Sequence, residues 1–410
     1  MSPPTPRPRN PFRVLTSHRN FRIFWTGQTL SLIGTWMQQM ASGWLALELS
    51  DSAFIVGLVA AAGSLPILVL SLPAGVLVDR RHKLRLVIIA QSILLVEATL
   101  LWGFTWSGHI TIGWLITFAT LGGMASAVEI PARQSLMIEL VGREDLRDAI
   151  ALNSSGFNLA RIVGPGVAAA IIARFGLAWC FGLNALSYLI VLSSLTMIRL
   201  PPWRPAPIAS SPWAGMVDGV RYIRQTPTVR ALLQLVAVYS VLGIPYLTLM
   251  PVFARDVLGT GAAGFGLMLT SVGIGGLAGA LALAAVGSHV RRGRLLRSSC
   301  FGFAVLLIAL SFVRVPVAAY PILLAAGFTM IVNNALANSL LQSIIPDALR
   351  GRMMAMYSLV VVGLPQVLGA FAAGAVAKAV GVDWTIGGAA TIMLAYGWWA
   401  LAKQRAIVDA

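Results

Sequence analysis

Charge, cysteine and histidine are all scarce in this chain. Only 11% of its 410 residues are charged, against roughly 25% in a soluble domain. The two cysteines, Cys180 and Cys300, fall at different expected depths and in no metal-ligand spacing, so they read as small apolar residues and no metal site is expected. The four histidines, His18, His82, His109 and His289, all fall in expected loops or termini. There is no H-E-x-x-H zinc pair and no Walker loop. The apolar runs hold no nucleophile or acid–base pair of the kind an intramembrane protease or acyltransferase needs. The Gly-rich stretch from Gly261 to Gly279 lies within an apolar run, where close helix packing explains it better than phosphate binding. Together these absences argue against an enzyme. The first 20 residues are rich in Pro and Arg and lack a short apolar core with a small-residue cleavage site. The expectation is that no signal peptide is removed and that the first apolar run stays as an anchor.

What the chain has is apolar sequence: hydrophobic residues make up 58% of it. A bilayer-spanning helix needs about 20 predominantly apolar residues. Twelve spans are expected, at 22–48, 53–78, 85–107, 110–140, 148–174, 177–199, 229–255, 263–287, 294–313, 316–345, 350–377 and 382–402. The resulting plan is a tail at 1–21, a six-helix bundle at 22–199, a linker at 200–228, a second six-helix bundle at 229–402 and a tail at 403–410.

The net charge of +16 invites a nucleic-acid reading, but its distribution argues otherwise. Of the 30 Lys and Arg, Arg174, Arg255, Arg314 and Lys378 fall near one set of span ends, and Arg133 and Arg161 fall inside spans. All the others gather on the opposite side, which the positive-inside rule assigns to the cytoplasm, with both termini there. The basic excess therefore reads as topology, with attraction to anionic lipid second.

The chain also repeats itself. Gly75-Val-Leu-Val-Asp79-Arg80-Arg81-His82-Lys83-Leu-Arg85 forms a tight basic turn between spans 2 and 3. A degraded echo, Gly287-Ser-His-Val-Arg291-Arg292-Gly293-Arg294, recurs 212 residues later. Glu144-Asp145-Leu146-Arg147 after span 4 is echoed by Pro346-Asp347-Ala348-Leu349-Arg350 after span 10, each placing an acid where it can cap the next helix. Between the halves, Pro201 to Pro207 cannot continue a helix. Trp213, Met216, Val217, Val220 and Ile223 beside Arg221 and Arg224 then suggest a short amphipathic helix on the inner membrane face.

These residues carry a resemblance. Gly75-x-x-x-Asp79-Arg80-x-x-Lys83 resembles the signature loop of the major facilitator superfamily. Ala160-Arg-Ile-Val-Gly164-Pro165-Gly166 resembles the Gly-Pro motif of its exporters. Pro131-Ala-Arg-Gln-Ser135, with Ala149 to Asn153 and Phe157 to Pro165, resembles a bacterial exporter branch containing enterobactin exporters and macrolide-efflux proteins. His82 replaces the usual Gly of the signature, and Arg291 stands in the second copy where Asp is expected, so only the first copy is a full latch. The resemblance implies an all-α membrane protein of twelve helices in two pseudo-symmetric bundles. It further implies that Gly75, Asp79, Arg80 and Lys83 face the start of span 11 near Arg352, closing the cytoplasmic side in the outward-open state. Gly164-Pro165-Gly166 is expected to kink span 5 and shape the seal between halves.

Charges inside the spans are costly unless paired or solvated. Glu97, Glu129, Arg133 and Arg161 are the deep ones, and the second half has no deep acid. Glu129 and Arg133 have acid-first i,i+4 spacing. Glu129 is the first candidate for proton coupling, with Arg133 or Arg161 as partner, while Glu97 is expected to meet an Arg or an amide. A nearby Arg favours the charged form of a carboxylate and desolvation the neutral one, so a cavity that opens alternately could load and unload a proton. Gln38, Gln39, Asn158, Tyr239, Tyr246, Asn333, Asn334 and Asn338 are candidate cavity residues for an aromatic or polycyclic amphipathic substrate.

The expected protein is a monomeric proton-coupled exporter of the bacterial inner membrane. It needs no cofactor beyond the proton gradient, and its partners are a small-molecule substrate and the bilayer, not nucleic acid. Lipid handling and nutrient import are the alternatives within the same fold.

Overall fold

The computed structural model describes residues 12–200, 220–286 and 291–403, and every regular element among them is helical. After one short turn, Arg13–Ser17, the first half comprises α1 (Arg19–Ser50), α2 (Ala53–Arg80), α3 (Lys83–Trp106), α4 (Ile112–Val141), α5 (Leu146–Phe175) and α6 (Ala178–Thr196). The second half comprises α7 (Pro227–Val257), α8 (Gly261–Val286), α9 (Arg292–Phe312), α10 (Pro316–Ile344), α11 and α12 (Val382–Lys403). Helix α11 runs from Asp347–Ser358 through two π-helical turns, Leu359–Gly363 and Pro365–Gly369, into Ala370–Val380. Among the described residues 11 helices are long and apolar enough to cross a membrane. Helix α1, the expected first span, is not one of them. Its 32 residues reach about 48 Å at 1.5 Å per residue, but Arg22, Gln28, Gln38, Gln39 and Glu48 dilute its hydropathy.

Prolines inside the long helices mark where the ladder gives way. Helix α7 breaks at Ile244-Pro245 and α11 widens beside Pro365, whereas α2, α4, α5 and α10 absorb Pro66, Pro73, Pro131, Pro165 and Pro321. In lipid such defects persist only where neighbouring helices cover the freed backbone groups. Trp102, Trp106, Phe175 and Trp179 cluster edge to face where α3, α5 and α6 turn, a headgroup-level arrangement of amphipathic rings.

The duplication is visible in the packing. The pairs α2–α4, α3–α4, α3–α6, α1–α6 and α1–α5 recur as α8–α10, α9–α10, α9–α12, α7–α12 and α7–α11. Helices α5 and α11 end alike, on Gly176 (φ 92°) and Gly381 (φ 95°), a left-handed conformation that only glycine adopts freely. The first four residues of the latch echo, 287–290, and most of the linker with its expected amphipathic helix (201–219) lie outside the described residues.

Two seams join the halves: α5 against α8, and α2 against α11. Both gather toward the arginine-poor end, where the turns at Asp51, Gly176, Gly259 and Gly381 lie. Gly266 of α8 sits so close to α5 that an added Cβ would stand 2.6 Å from Ala169 Cβ and 2.7 Å from the Pro165 carbonyl oxygen. Gly57 and Gly374 bring α2 and α11 equally close, the small-residue contact that membrane helices use. Ser64 Oγ donates to Gln366 Oε1 at 3.0 Å nearer the middle of that seam.

Candidate functional site

Two buried polar clusters occupy the first half. In one, Gln38 of α1 donates through Nε2 to both carboxylate oxygens of Glu97 on α3, at 3.0 and 3.1 Å. Asn184 of α6 donates to Gln38 Oε1 at 2.7 Å, and Ser187 donates to Asn184 Oδ1 at 3.0 Å. Glu97 is thus held by a relay of neutral groups, and no described cation pairs with it. In the other, Arg133 Nε donates to Glu129 Oε1 at 2.8 Å one turn away on α4, and Gln91 of α3 adds a bond at 3.2 Å. Both members of this pair are buried. Glu129 has Arg133 as its partner rather than Arg161, and Glu97 has the amide rather than an Arg.

Arg161 of α5 lies on the seam. On one side of it, Ile162, Pro165, Gly166 and Ala169 pack on Gly266, Thr270 and Gly273 of α8. On the other, Asn158 is half-buried, Ser154 is exposed, and Asn158 bonds only back to the Ser154 carbonyl, at 2.9 Å. Pro165 lacks a backbone donor, and α5 continues as helix across it from Leu146 to Phe175. Gly164 admits α1: an added Cβ would stand 2.6 Å from Trp36 Cβ. The Gly-Pro-Gly triplet therefore touches α1 on one face and α8 on the other.

The other expected cavity residues separate. Gln38 serves Glu97, as above, and Gln39 is exposed. Tyr239, Tyr246 and Asn333 are buried within the second half, where Asn333 Nδ2 meets Cys300 Sγ at 3.0 Å. A void of about 10 Å³ lies between Tyr239, Ser240, Phe303, Asn333 and Asn334, barely the room of one water. Asn334 accepts from the Tyr357 hydroxyl through its backbone carbonyl, at 2.8 Å, and Asn338 accepts from Gln342 at 2.5 Å.

At the latch loop Asp79 and Arg80 are exposed, Asp79 without a described partner, and Gly75 has open space beside it. Lys83 pairs with Glu139 at the end of α4, at 2.7 Å, a contact within the first half that no local spacing announces. The Arg352 side chain lies outside the described ones.

Further ion pairs gather at the arginine-poor end. Arg255 of α7 donates to Asp51, across the halves, and to Asp256 at 2.5 Å. Arg314 pairs with Asp383 at 2.7 Å, and all but Arg255 of these charges line a cavity of about 650 Å³. Asp51 has φ 51°, the one left-handed non-glycine residue among those described.

Two halves of membrane-crossing helices related by a repeat, joined along two close seams, define a transporter of the major facilitator superfamily. Within it, the chain belongs to the family of transmembrane secretion effectors, whose family model matches residues 10–407. It is therefore a multi-pass membrane transporter and not an enzyme. The chain is 30% identical over 361 residues to the multidrug efflux pump Tap of Mycolicibacterium fortuitum, covering 84% of this chain and 86% of that one. It is 27% identical over 292 residues to the staphyloferrin A transporter of Staphylococcus aureus, covering 71% and 73%, and 24% identical over 361 residues to the enterobactin exporter EntS of Escherichia coli, covering 84% and 82%. In fold it resembles the inward-facing, unoccupied bacterial homologue of the human lysosomal transporter Spinster, with a TM-score of 0.75 at 13% identity over 98% and 99% of the chains.

Proposed function

We propose that this protein exports an amphipathic small molecule, of the siderophore or drug class, across the bacterial inner membrane in exchange for protons. The names of its relatives, a drug pump and two siderophore carriers, support that substrate range. The basic bias of one end puts both termini and the loop at Asp79 in the cytoplasm and makes the end at Asp51 external. In that orientation, seams gathered on the external side, with Ser154 exposed and Asn158 half-buried beyond them, support an inward-open reading. Alternating access is then a rocking of one half against the other about a midplane site.

The observation that carries the coupling is Glu97: a buried carboxylate held by one neutral amide, that of Gln38. Protonating Glu97 breaks no ion pair, whereas protonating Glu129 strands Arg133 as an unpaired buried cation. Glu97 therefore becomes the first candidate for the coupled proton, with Glu129–Arg133 as the charged pair beside it.

The test is accumulation of a macrolide, a dye and a catecholate siderophore inside energised inverted vesicles, with luminal pH followed in parallel. Export predicts uptake of at least one compound accompanied by proton efflux, and Glu97→Gln uncouples the two. Uptake with undisturbed coupling in Glu97→Gln, lost instead in Glu129→Gln, returns the role to Glu129. Uptake of no compound argues against export.

A further inference from the structure

Arg161 is the one deep charged side chain with neither an ion pair nor a hydrogen bond among the described residues. Arg133 is neutralised by Glu129, and Glu97 has its amide, but no described acid lies within ion-pair distance of Arg161. Its Nε is buried and makes no hydrogen bond. The Tyr246 hydroxyl on α7 is in the same condition, on a residue only 2% exposed, and it lies within electrostatic reach of the guanidinium. Leaving such donors unpaired away from water is expensive unless something comes to accept from them.

Their position says what could. Arg161 is 14 residues from Phe175 by its number, about 21 Å of helix, and so near mid-membrane. It stands where the α5–α8 seam ends and the exposed stretch at Ser154 and Asn158 begins. Gly276 of α8 makes room for it: an added Cβ there would stand 2.8 Å from Arg161 Nη2. A cation with spare donors thus stands at the edge of the α5–α8 seam, backed by a hydroxyl from the other half.

We propose that Arg161 and Tyr246 form the anchor for an anionic group of the transported molecule, a carboxylate or a catecholate, so that the substrate is an amphipathic acid. The guanidinium supplies the charge and a planar pair of donors, and Tyr246 adds one donor from the second half. The anion thereby touches both halves at the point where they must part. This assignment rests on the transport reading but not on its direction or its coupling ion.

Binding to the purified full-length protein in nanodiscs, without any gradient, tests it. Fluorescein and rhodamine 6G share a polycyclic frame, the first anionic and the second cationic. The wild type is expected to bind fluorescein at least tenfold more tightly than rhodamine 6G. Arg161→Gln should weaken fluorescein tenfold or more, and Tyr246→Phe about threefold to tenfold, as expected for lost hydrogen bonds to a charge and from a hydroxyl. Neither change should weaken rhodamine 6G, so the preference for fluorescein falls in both variants. Gly276→Ala keeps the charge but displaces the guanidinium, and should weaken fluorescein even if Arg161→Gln fails to fold. Equal fluorescein affinity in the variants and the wild type overturns the site, as does a wild type that prefers rhodamine 6G or binds neither dye. If vesicle transport of other compounds survives such a result, only this assignment falls and the exporter reading stands.

Discussion

Glu97 and Glu129 lie on neighbouring helices and are both buried, yet their partners differ in kind, and their replacement should differ in consequence. Glu129→Gln removes one member of a buried ion pair and leaves Arg133 unpaired, a loss of about 3–5 kcal/mol when a buried pair is broken from one side. The purified protein should melt several degrees lower, and the double variant Glu129→Gln/Arg133→Gln should recover most of the loss. Glu97→Gln keeps an acceptor for Gln38 and strands no charge, so its cost should stay near the 0.5–1.5 kcal/mol of one hydrogen bond. Equal melting of the two single variants would remove the distinction drawn between them. The sequence displayed half of this arrangement. Four-residue spacing on one helix makes Glu129–Arg133 legible, because helix geometry alone brings them together. The Glu97–Gln38–Asn184 relay was not, since it joins α3, α1 and α6 through tertiary packing that no spacing encodes. Asp51–Arg255 escaped for the same reason, with the two residues on opposite halves.

At the scale of elements, helix faces follow from small residues, and the α5–α8 seam shows how narrow the tolerance is. Gly266→Ala places a methyl group against the Pro165 carbonyl and Ala169, contacts of 2.7 and 2.6 Å that must open. Overpacking of this kind costs about 1–3 kcal/mol. Because the strain falls only on the state in which α5 and α8 touch, the change should favour parting of the arginine-poor side. Cysteines placed there should then label faster with an impermeant maleimide, by about fivefold to a hundredfold for that energy. Gly388→Ala on α12 is the control: it has open space around it and should change neither labelling nor melting. Unchanged labelling in Gly266→Ala would mean that the seam yields without moving the halves. The run of glycines in α8 was readable as packing from the sequence, but not its partner, since period and composition mark a close face without saying which helix meets it.

For the molecule as a whole, the arginine-poor side is held by two kinds of device, an ion pair and the helix seams, and their strengths should separate. The Asp51–Arg255 pair spans the halves, but the Asp51 side chain is 83% exposed. An exposed ion pair is worth about 0.2–1 kcal/mol, so Asp51→Asn should change labelling of that side no more than about fivefold, and less in high salt. The extended contacts of α2 with α11 and of α5 with α8 must carry most of the closure. If the halves rock, the α2–α11 contact has to break in every cycle. Ser64 and Gln366 bridge it at 3.0 Å, and the two native cysteines are buried, so a Ser64→Cys/Gln366→Cys protein offers one reactive pair. A short, reducible bifunctional thiosulfonate across that pair should stop vesicle transport almost completely, and reductant should restore it. Each single cysteine treated in the same way should keep its activity. Transport that continues with the pair cross-linked would show that α2 and α11 stay together throughout the cycle, and motion would then have to be sought within a half, at the break in α7 or the wide turns of α11.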